Sequence, residues 1–273
     1  MFKSILENVR EKSPLIHNIT NYVTVNDVAN VVLAIGASPI MADDEDEVED
    51  ITSICQGLNI NIGTLNKRTI PAMLKAGKKA NELHHPVVLD PVGVGASQLR
   101  TKTAFELIEK IHFDVIRGNI SEIKTLVSHN GTVRGVDASI EDAVTDENLD
   151  NCIDFLKAYA KQLNCIIAVT GAIDLVADAH QCYVIRNGEK EMSAITGTGC
   201  QLSALITAFI SANPKHSLAA VAGAVCTMGL AGEIGKTNML DNEGNSTYRH
   251  RIIDAIYHMD GETLEKGAKY EIR

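Results

Sequence analysis

Zinc and disulfide frameworks are the first classes to be excluded. The six cysteines stand at 55, 152, 165, 182, 200 and 226, with no C-x-x-C pair, and that spacing suits neither a ligand set nor a stapled scaffold. Free thiols point instead to a reducing, cytoplasmic setting. Equally missing are the Walker A pattern, a finished G-x-G-x-x-G and any H-E-x-x-H. Gly93-Val94-Gly95-Ala96-Ser97 starts like the dinucleotide fingerprint and does not complete it. A positive excess is absent too: 25 Lys and Arg against 35 Asp and Glu leave a net charge of −10. That balance argues against nucleic-acid or anionic-membrane partners while leaving room for a local basic pocket. Residues Met1 to Arg10 contain no apolar h-region, so no signal peptide is expected. One uncharged stretch, Ser217 to Gly232, is rich in Ala and Gly and short of a membrane span; it reads as a helix buried on most sides.

What is present reads as one α/β domain over residues 1–273, without an interior linker or repeat. Phe2 to Arg10 predicts a short amphipathic helix stopped by Ser13-Pro14. Leu15 to Tyr22, amide-rich and polar, reads as a loop. A helix follows with Val28, Val31, Val32 and Ile35 on one face and Gly36 as its stop. Ser38 to Ala42 predicts a strand. Asp43 to Asp50 carries seven acidic residues in eight positions; without an EF-hand spacing it reads as a solvated helix start, not a metal cluster. Strands over 58–63, 86–93, 113–119 and 165–171 alternate with helices from 68, 103, 121 and 153, the signature of βαβ units and a mainly parallel sheet. Gly131 to Asp146 reads as a surface excursion. Strands at 175–177 and 182–186 predict an antiparallel pair, and three helices, 200–211, 216–235 and 247–259, close the chain.

In such sheets ligands bind at the carboxyl ends of the strands. The unusual polar residues fall there: Asp90 after Val87-Val88-Leu89, Arg117-Gly118-Asn119 after Val115-Ile116, and Thr170-Gly171 after Ile166 to Val169. Ile195-Thr196-Gly197-Thr198-Gly199-Cys200 then feeds an apolar helical face made by Leu202, Leu205, Ile206 and Phe209. A glycine turn at a helix N-terminus presents free N–H groups to an anion. Cys200 admits three readings: a core thiol, a nucleophile with depressed pKa, or a polar group beside a transferring phosphoryl.

Seven blocks occur in order: His17-Asn18-Ile19-Thr20-Asn21, Gly36 to Met41, Asn61-Ile62-Gly63-Thr64-Leu65, Leu89-Asp90-Pro91-Val92-Gly93, Arg117-Gly118-Asn119 with Glu122, Val169-Thr170-Gly171, and Thr196 to Cys200. Together they resemble the hydroxyethylthiazole kinase family over about residues 14 to 235. One later block departs from the family pattern: Gly244-Asn245-Ser246-Thr247-Tyr248 has Tyr where the family has Phe. The resemblance implies a ribokinase-like three-layer α/β fold, with a mainly parallel central sheet flanked by helices. It implies transfer of the γ-phosphoryl of ATP to the hydroxyl of 4-methyl-5-(2-hydroxyethyl)thiazole, with Mg²⁺, in thiamine biosynthesis. It also implies a homotrimer with active sites at subunit interfaces. By position, Cys200 would be the catalytic residue. Met41, Gly197 and Asn21 would contact the thiazole. Arg117, Thr170, Thr198 and Gly199 would bind ATP, and Asp90 and Glu122 would hold the Mg²⁺ through water. The alternatives are a kinase of another heteroaromatic alcohol, a hydrolase or acyltransferase using Cys200 with a histidine base, and a non-catalytic nucleotide-binding protein.

Overall fold

The computed structural model describes residues 1–129 and 143–273, so most of the expected excursion over Gly131 to Asp146 lies outside the described residues. The chain opens with α1 (Phe2–Lys12), which buries Phe2, Ile5, Leu6 and Val9. Ser13 ends it in a left-handed turn, φ 42°, with its N–H on the Val9 carbonyl. Pro14 has no N–H to continue the helix.

The next element corrects the sequence reading. Leu15–Ile19 is not loop but a strand, β1, lying between two neighbours in the sheet. Its polar groups are satisfied internally, which is what lets a polar strand sit so deep. Asn18 donates to the Ile16 carbonyl at 3.0 Å and accepts from Asn59 at 3.1 Å.

Beyond it come α2 (Val25–Ala34), β2 (Ser38–Met41), α3 (Val48–Ile54), β3 (Gly57–Asn61), α4 (Thr69–Glu82), β4 (Val87–Asp90), α5 (Gln98–Lys110), β5 (Val115–Gly118) and α6 (Ile120–His129). The acidic run leads into α3 and places Glu49 and Asp50 in its first turn, where carboxylates favour the dipole. After α7 (Leu149–Leu163) and β6 (Ile166–Val169), β7 (Asp174–Ala177) and β8 (Cys182–Ile185) pair antiparallel, as expected. A short 3-10 turn over Lys190–Ala194 precedes α8 (Thr198–Ala212), α9 (Ser217–Thr237), α10 (Asn245–His258), α11 (Gly261–Gly267) and β9 (Tyr270–Ile272).

The strands form one nine-stranded sheet in the order β2-β1-β3-β4-β5-β6-β7-β8-β9. The first six are parallel, so their carboxyl ends share one edge. Apolar cores cover both faces. Phe2, Val28, Leu205, Val221 and Ile256 belong to the core under α1, α2 and α8 to α10. Val48, Met73, Leu107, Leu126 and Leu156 belong to the core under α3 to α7. This is the expected three-layer α/β arrangement.

β3 shows how the layers differ. Its alternation is real, but the polar positions are as buried as the apolar ones. Leu58 and Ile60 join the core under α4, while Asn59 and Asn61 are buried polar groups. β3 and β4 meet α8 where that helix carries Cys200, Ser203, Thr207 and Ser211, spaced three or four apart. A polar seam therefore runs between α8 and the sheet. Packing along it is close: a Cβ at Gly57 would lie 2.2 Å from the Ser211 hydroxyl.

α9 is long and apolar enough to cross a membrane, by length and composition only, but 78% of its apolar window is buried inside the fold. Gly229 lets it reach the backbone of Asn187, which a Cβ would approach to 2.8 Å. Tyr248, the departure from the expected block, is buried, and its hydroxyl donates to the Gly232 carbonyl at 2.9 Å.

The chain does not close on three helices. α11 and β9 follow, and β9 pairs antiparallel with β8, covering an otherwise open sheet edge. β9 is exposed and three residues long, too short for a periodic signal. It is held from outside itself. Asn187 donates to the Gly267 carbonyl at 2.9 Å and accepts the Lys269 N–H at 2.8 Å. Glu233 takes the Lys269 ammonium at 2.7 Å. Asn187→Ala is expected to leave these backbone groups unpaired and to cost about 1–3 kcal/mol, read as a lower urea midpoint at unchanged m-value. An unchanged midpoint would show that water replaces the anchor.

Candidate active site

Parallel pairing brings Met41 of β2, Asn61 of β3, Asp90 of β4 and Arg117 of β5 to one edge, with Asn21 and Thr170 just beyond β1 and β6. The N-terminus of α8 caps the same edge. Gly197 precedes it with φ 88°, and a Cβ there would lie 2.2 Å from the Thr24 methyl. Both the left-handed backbone and the close approach require glycine. Thr198 is the first residue of α8, and Gly199 lies against Arg117, whose Nη1 would be 2.3 Å from an added Cβ. The guanidinium thus occupies the space beside the free N–H groups of the helix.

Asp90 is the deepest charge in the cluster, with no exposed surface. Its Oδ2 accepts from Asn61 Nδ2 and Ser203 Oγ, each at 2.8 Å. Arg117 Nη1 stands 3.6 Å from Oδ2. Burial raises the Asp90 pKa, against the pull of Arg117 and Ser203. Its Oδ1 is buried without a hydrogen-bond partner. A carboxylate oxygen in that condition fits the water shell of a hard divalent cation. Arg117 also donates through Nη2 to the Thr170 hydroxyl.

Glu122 is neither solvated nor idle. Its Oε1 accepts the Gly93 N–H and its Oε2 the Asn119 N–H, both at 2.8 Å, while its own N–H donates to Asn119 Oδ1 at 2.8 Å. This is a capping box at the start of α6. Its charge is also felt at Asp90, where it raises the pKa. Each carboxylate oxygen keeps a second lone pair for a metal-bound water.

Cys200 is buried, and its sulfur accepts from Asn21 Nδ2 at 3.1 Å. That amide also reaches Asn61 Oδ1 at 3.0 Å, which takes the Gly63 N–H at 2.9 Å as well. Asn21 Oδ1 accepts from the Thr24 N–H and hydroxyl, each at 3.1 Å, at the start of α2. Burial and then the Asp90 charge push the Cys200 pKa up, outweighing Asn61, Asn21 and Arg117. The nucleophile reading needs the opposite shift and is not supported. His17, in the middle of β1, is spoken for as well. Its Nε2 lies 2.8 Å from the Ala42 carbonyl and its Nδ1 2.9 Å from Thr52 Oγ1. The carbonyl can only accept, so Nε2 carries a proton. Burial lowers its pKa, consistent with a neutral ring.

The structure therefore joins Cys200, Asn21, Asn61 and Asp90 by hydrogen bonds, and Asp90 to Arg117 and Thr170 by an ion pair and a further hydrogen bond, with Gly197, Thr198 and Gly199 above them and Glu122 beside them. Met41 ends the edge strand β2 and packs on the apolar core. Asn61 and Ser203 were missed. The signal for both was a polar residue on an otherwise apolar, core-facing element. Asp174 was missed too. It opens β7, accepts the Gly171 N–H at 2.9 Å, and burial pushes its carboxyl up to about 7 despite that bond and Arg117. A cavity of about 290 Å³ lies between the ends of β5 and β6, lined in part by Asn119, Ile120, Thr170 and Gly171.

Comparison with known proteins agrees across the chain. The model of the hydroxyethylthiazole kinase family matches residues 6–262. A hydroxyethylthiazole kinase from Clostridium acetobutylicum is 59% identical over 99% of this chain and 99% of its own length. The solved structure of a hydroxyethylthiazole kinase protein from Pyrococcus horikoshii superposes with a TM-score of 0.88 at 33% identity, covering 100% of this chain and 98% of that one. Pyridoxal kinase from Staphylococcus aureus in complex with AMP-PCP has a TM-score of 0.61 at 17% identity, over 95% of this chain and 97% of its own, a likeness of fold.

Gly199→Ala would set a methyl into the Arg117 guanidinium. Binding of a nucleoside triphosphate, measured calorimetrically, is expected to weaken about tenfold or more, the loss of about 1.4 kcal/mol. Wild-type affinity in this variant would place the anion elsewhere.

Proposed function

Because the chain belongs to the hydroxyethylthiazole kinase family, we propose that it transfers the γ-phosphoryl of ATP to the hydroxyl of 4-methyl-5-(2-hydroxyethyl)thiazole, for thiamine salvage. The observation that carries this reading is the unbroken polar cluster from Asn21 and Cys200 through Asn61 and Asp90 to Arg117 and Thr170, under the N-terminus of α8.

The N–H groups of Thr198, Gly199 and Cys200 receive the γ-phosphoryl oxygens. Arg117 offsets their charge from the side, oriented by Thr170 and Asp90. The cavity beside Thr170 and Gly171 takes the nucleoside end. Asp90 and Glu122 would hold Mg²⁺ through water, and the ion would supply neutralisation of phosphate charge there. Met41 packs on the thiazole ring, with Gly197 and Asn21 completing the contact. The alcohol oxygen forms its bond to phosphorus as the bond to the β–γ bridging oxygen breaks and ADP leaves. The alcohol proton passes to solvent or to the transferred group.

Cys200 orients this alcohol. Its raised pKa keeps it a neutral thiol near pH 7, a poor base. Phosphoryl transfer depends more on positioning and charge neutralisation than on early proton removal.

The chain works as one catalytic domain, as a cytoplasmic homotrimer with its sites at subunit boundaries. Support for the trimer is the apolar rim beside Asn21: Tyr22, Val23 and Val25 are 77%, 58% and 37% exposed, an arrangement typical of a contact surface. Light scattering should give three times the 29.5 kDa chain mass; a monomer would contradict it.

Purified protein with ATP and Mg²⁺ is expected to produce the thiazole phosphate and ADP in equal amounts, followed by mass spectrometry. Turnover of another heteroaromatic alcohol in place of this one would overturn the substrate. Cys200→Ala is expected to lower kcat about tenfold or more with an unchanged circular dichroism spectrum. Wild-type kcat would return Cys200 to the role of a core thiol.

A further inference from the structure

Asp174 has no part in the mechanism above, yet its placement ties it to the nucleotide side of the site. The turn between β6 and β7 is fastened twice. At its start the Thr170 N–H donates to the Gly118 carbonyl at 3.0 Å. One residue later the Gly171 N–H donates to Asp174 Oδ1 at 2.9 Å. Between the two bonds stands the Thr170 side chain, which receives Arg117 Nη2.

Among the described residues, the ion-pair partner of Arg117 is Asp90 at 3.6 Å, and its Nε is buried without a hydrogen-bond partner. Gly199 leaves it no slack on the third side, since Nη1 lies 2.3 Å from where a Cβ would stand. A shift of the turn therefore moves the guanidinium relative to the N-terminus of α8.

A second aspartate shows what a purely local turn looks like in this chain. Asp260 accepts the Thr263 N–H at 2.7 Å from an exposed position, and its pKa is lowered. Asp174 makes the same kind of bond from a partly buried position; burial raises its pKa, although the Gly171 N–H and the nearby Arg117 charge pull it down. Gly171 is exposed, and water would satisfy its N–H if the turn needed only a donor's partner.

We propose that Asp174 is a positioning residue for nucleotide binding: by closing the Gly171 turn it sets the Thr170 hydroxyl, and through it the Arg117 guanidinium. The inference rests on the kinase reading of the site. Either protonation state of the carboxyl accepts the Gly171 N–H, and so does the amide oxygen of an asparagine.

ATP binding is measured by calorimetry on the full chain, with KM for ATP and for the thiazole alcohol taken separately. Asp174→Ala is expected to weaken ATP binding and raise its KM about tenfold, with KM for the alcohol within about twofold. Asp174→Asn should bind ATP within about twofold of wild type. Gly171→Pro, which removes the donor and leaves Asp174 intact, should show the same loss, and it carries the test should Asp174→Ala fold poorly. Thr170→Val combined with Asp174→Ala should be no weaker than Thr170→Val alone, since both act through one contact. Unchanged ATP affinity in both Asp174→Ala and Gly171→Pro would overturn the proposal, as would Asp174→Asn as weak as Asp174→Ala, or fully additive losses. Wild-type protein that binds no ATP would overturn the kinase reading and this proposal together; wild-type ATP binding with the alcohol unused would overturn only the substrate.

Discussion

The constraint on which the rest depends is a buried carboxylate. Asp90 ends a central strand beneath α8 and has no exposed surface. A charge so placed persists only if its surroundings are polar and arranged. Asn61 and Ser203 give Oδ2 two donors, and Arg117 gives the group a counter-charge. Burial still outweighs these partners and raises the carboxyl's pKa. With its folded pKa raised, this group supports the fold most in acid, below the ordinary 3.8, and loses that contribution as pH rises above it. At working pH the fold carries the cost, which the two apolar cores offset.

Much of the architecture follows from accommodating that group. α8 cannot present a uniformly apolar face to the sheet at β3 and β4. It carries Ser203, Thr207 and Ser211 there, each hydrogen-bonded to a carbonyl one turn back along its own helix. β1 and β3 answer with Asn18, Asn59 and Asn61, paired with one another or with neighbouring amides. Asn61 joins the two functions: it holds Asp90 through its amide nitrogen and Asn21 through its oxygen, and Asn21 holds the Cys200 sulfur. Thiol and carboxylate are set by one chain of amides.

The repeat of strands and helices was legible because most apolar stretches fall on faces that meet only apolar neighbours. Asp90, Arg117 and Thr170 were legible because parallel strands deliver their last residues to one edge. β1 was not. Its polar residues look like loop chemistry until Asn59, 41 positions on, pairs with Asn18, and Thr52, 35 positions on, pairs with His17. β9 was invisible for another reason: it forms on the free edge of β8, fastened by Asn187 and Glu233. The sign of the Cys200 shift was also out of reach. A helix N-terminus suggests a depressed thiol pKa, but Asp90, distant in sequence, and burial push it the other way.

Replacing Asp90 by Asn tests the account most directly, with thermal melting and kcat measured on the same protein. The amide keeps the shape of the group and removes its charge. Since burial dominates at Asp90 and Arg117 retains Thr170, the melting temperature should hold or rise, while kcat falls about a hundredfold or more. A variant that keeps wild-type kcat, or one that melts well below the wild type, would contradict the claim that this charge is carried for catalysis at the expense of stability.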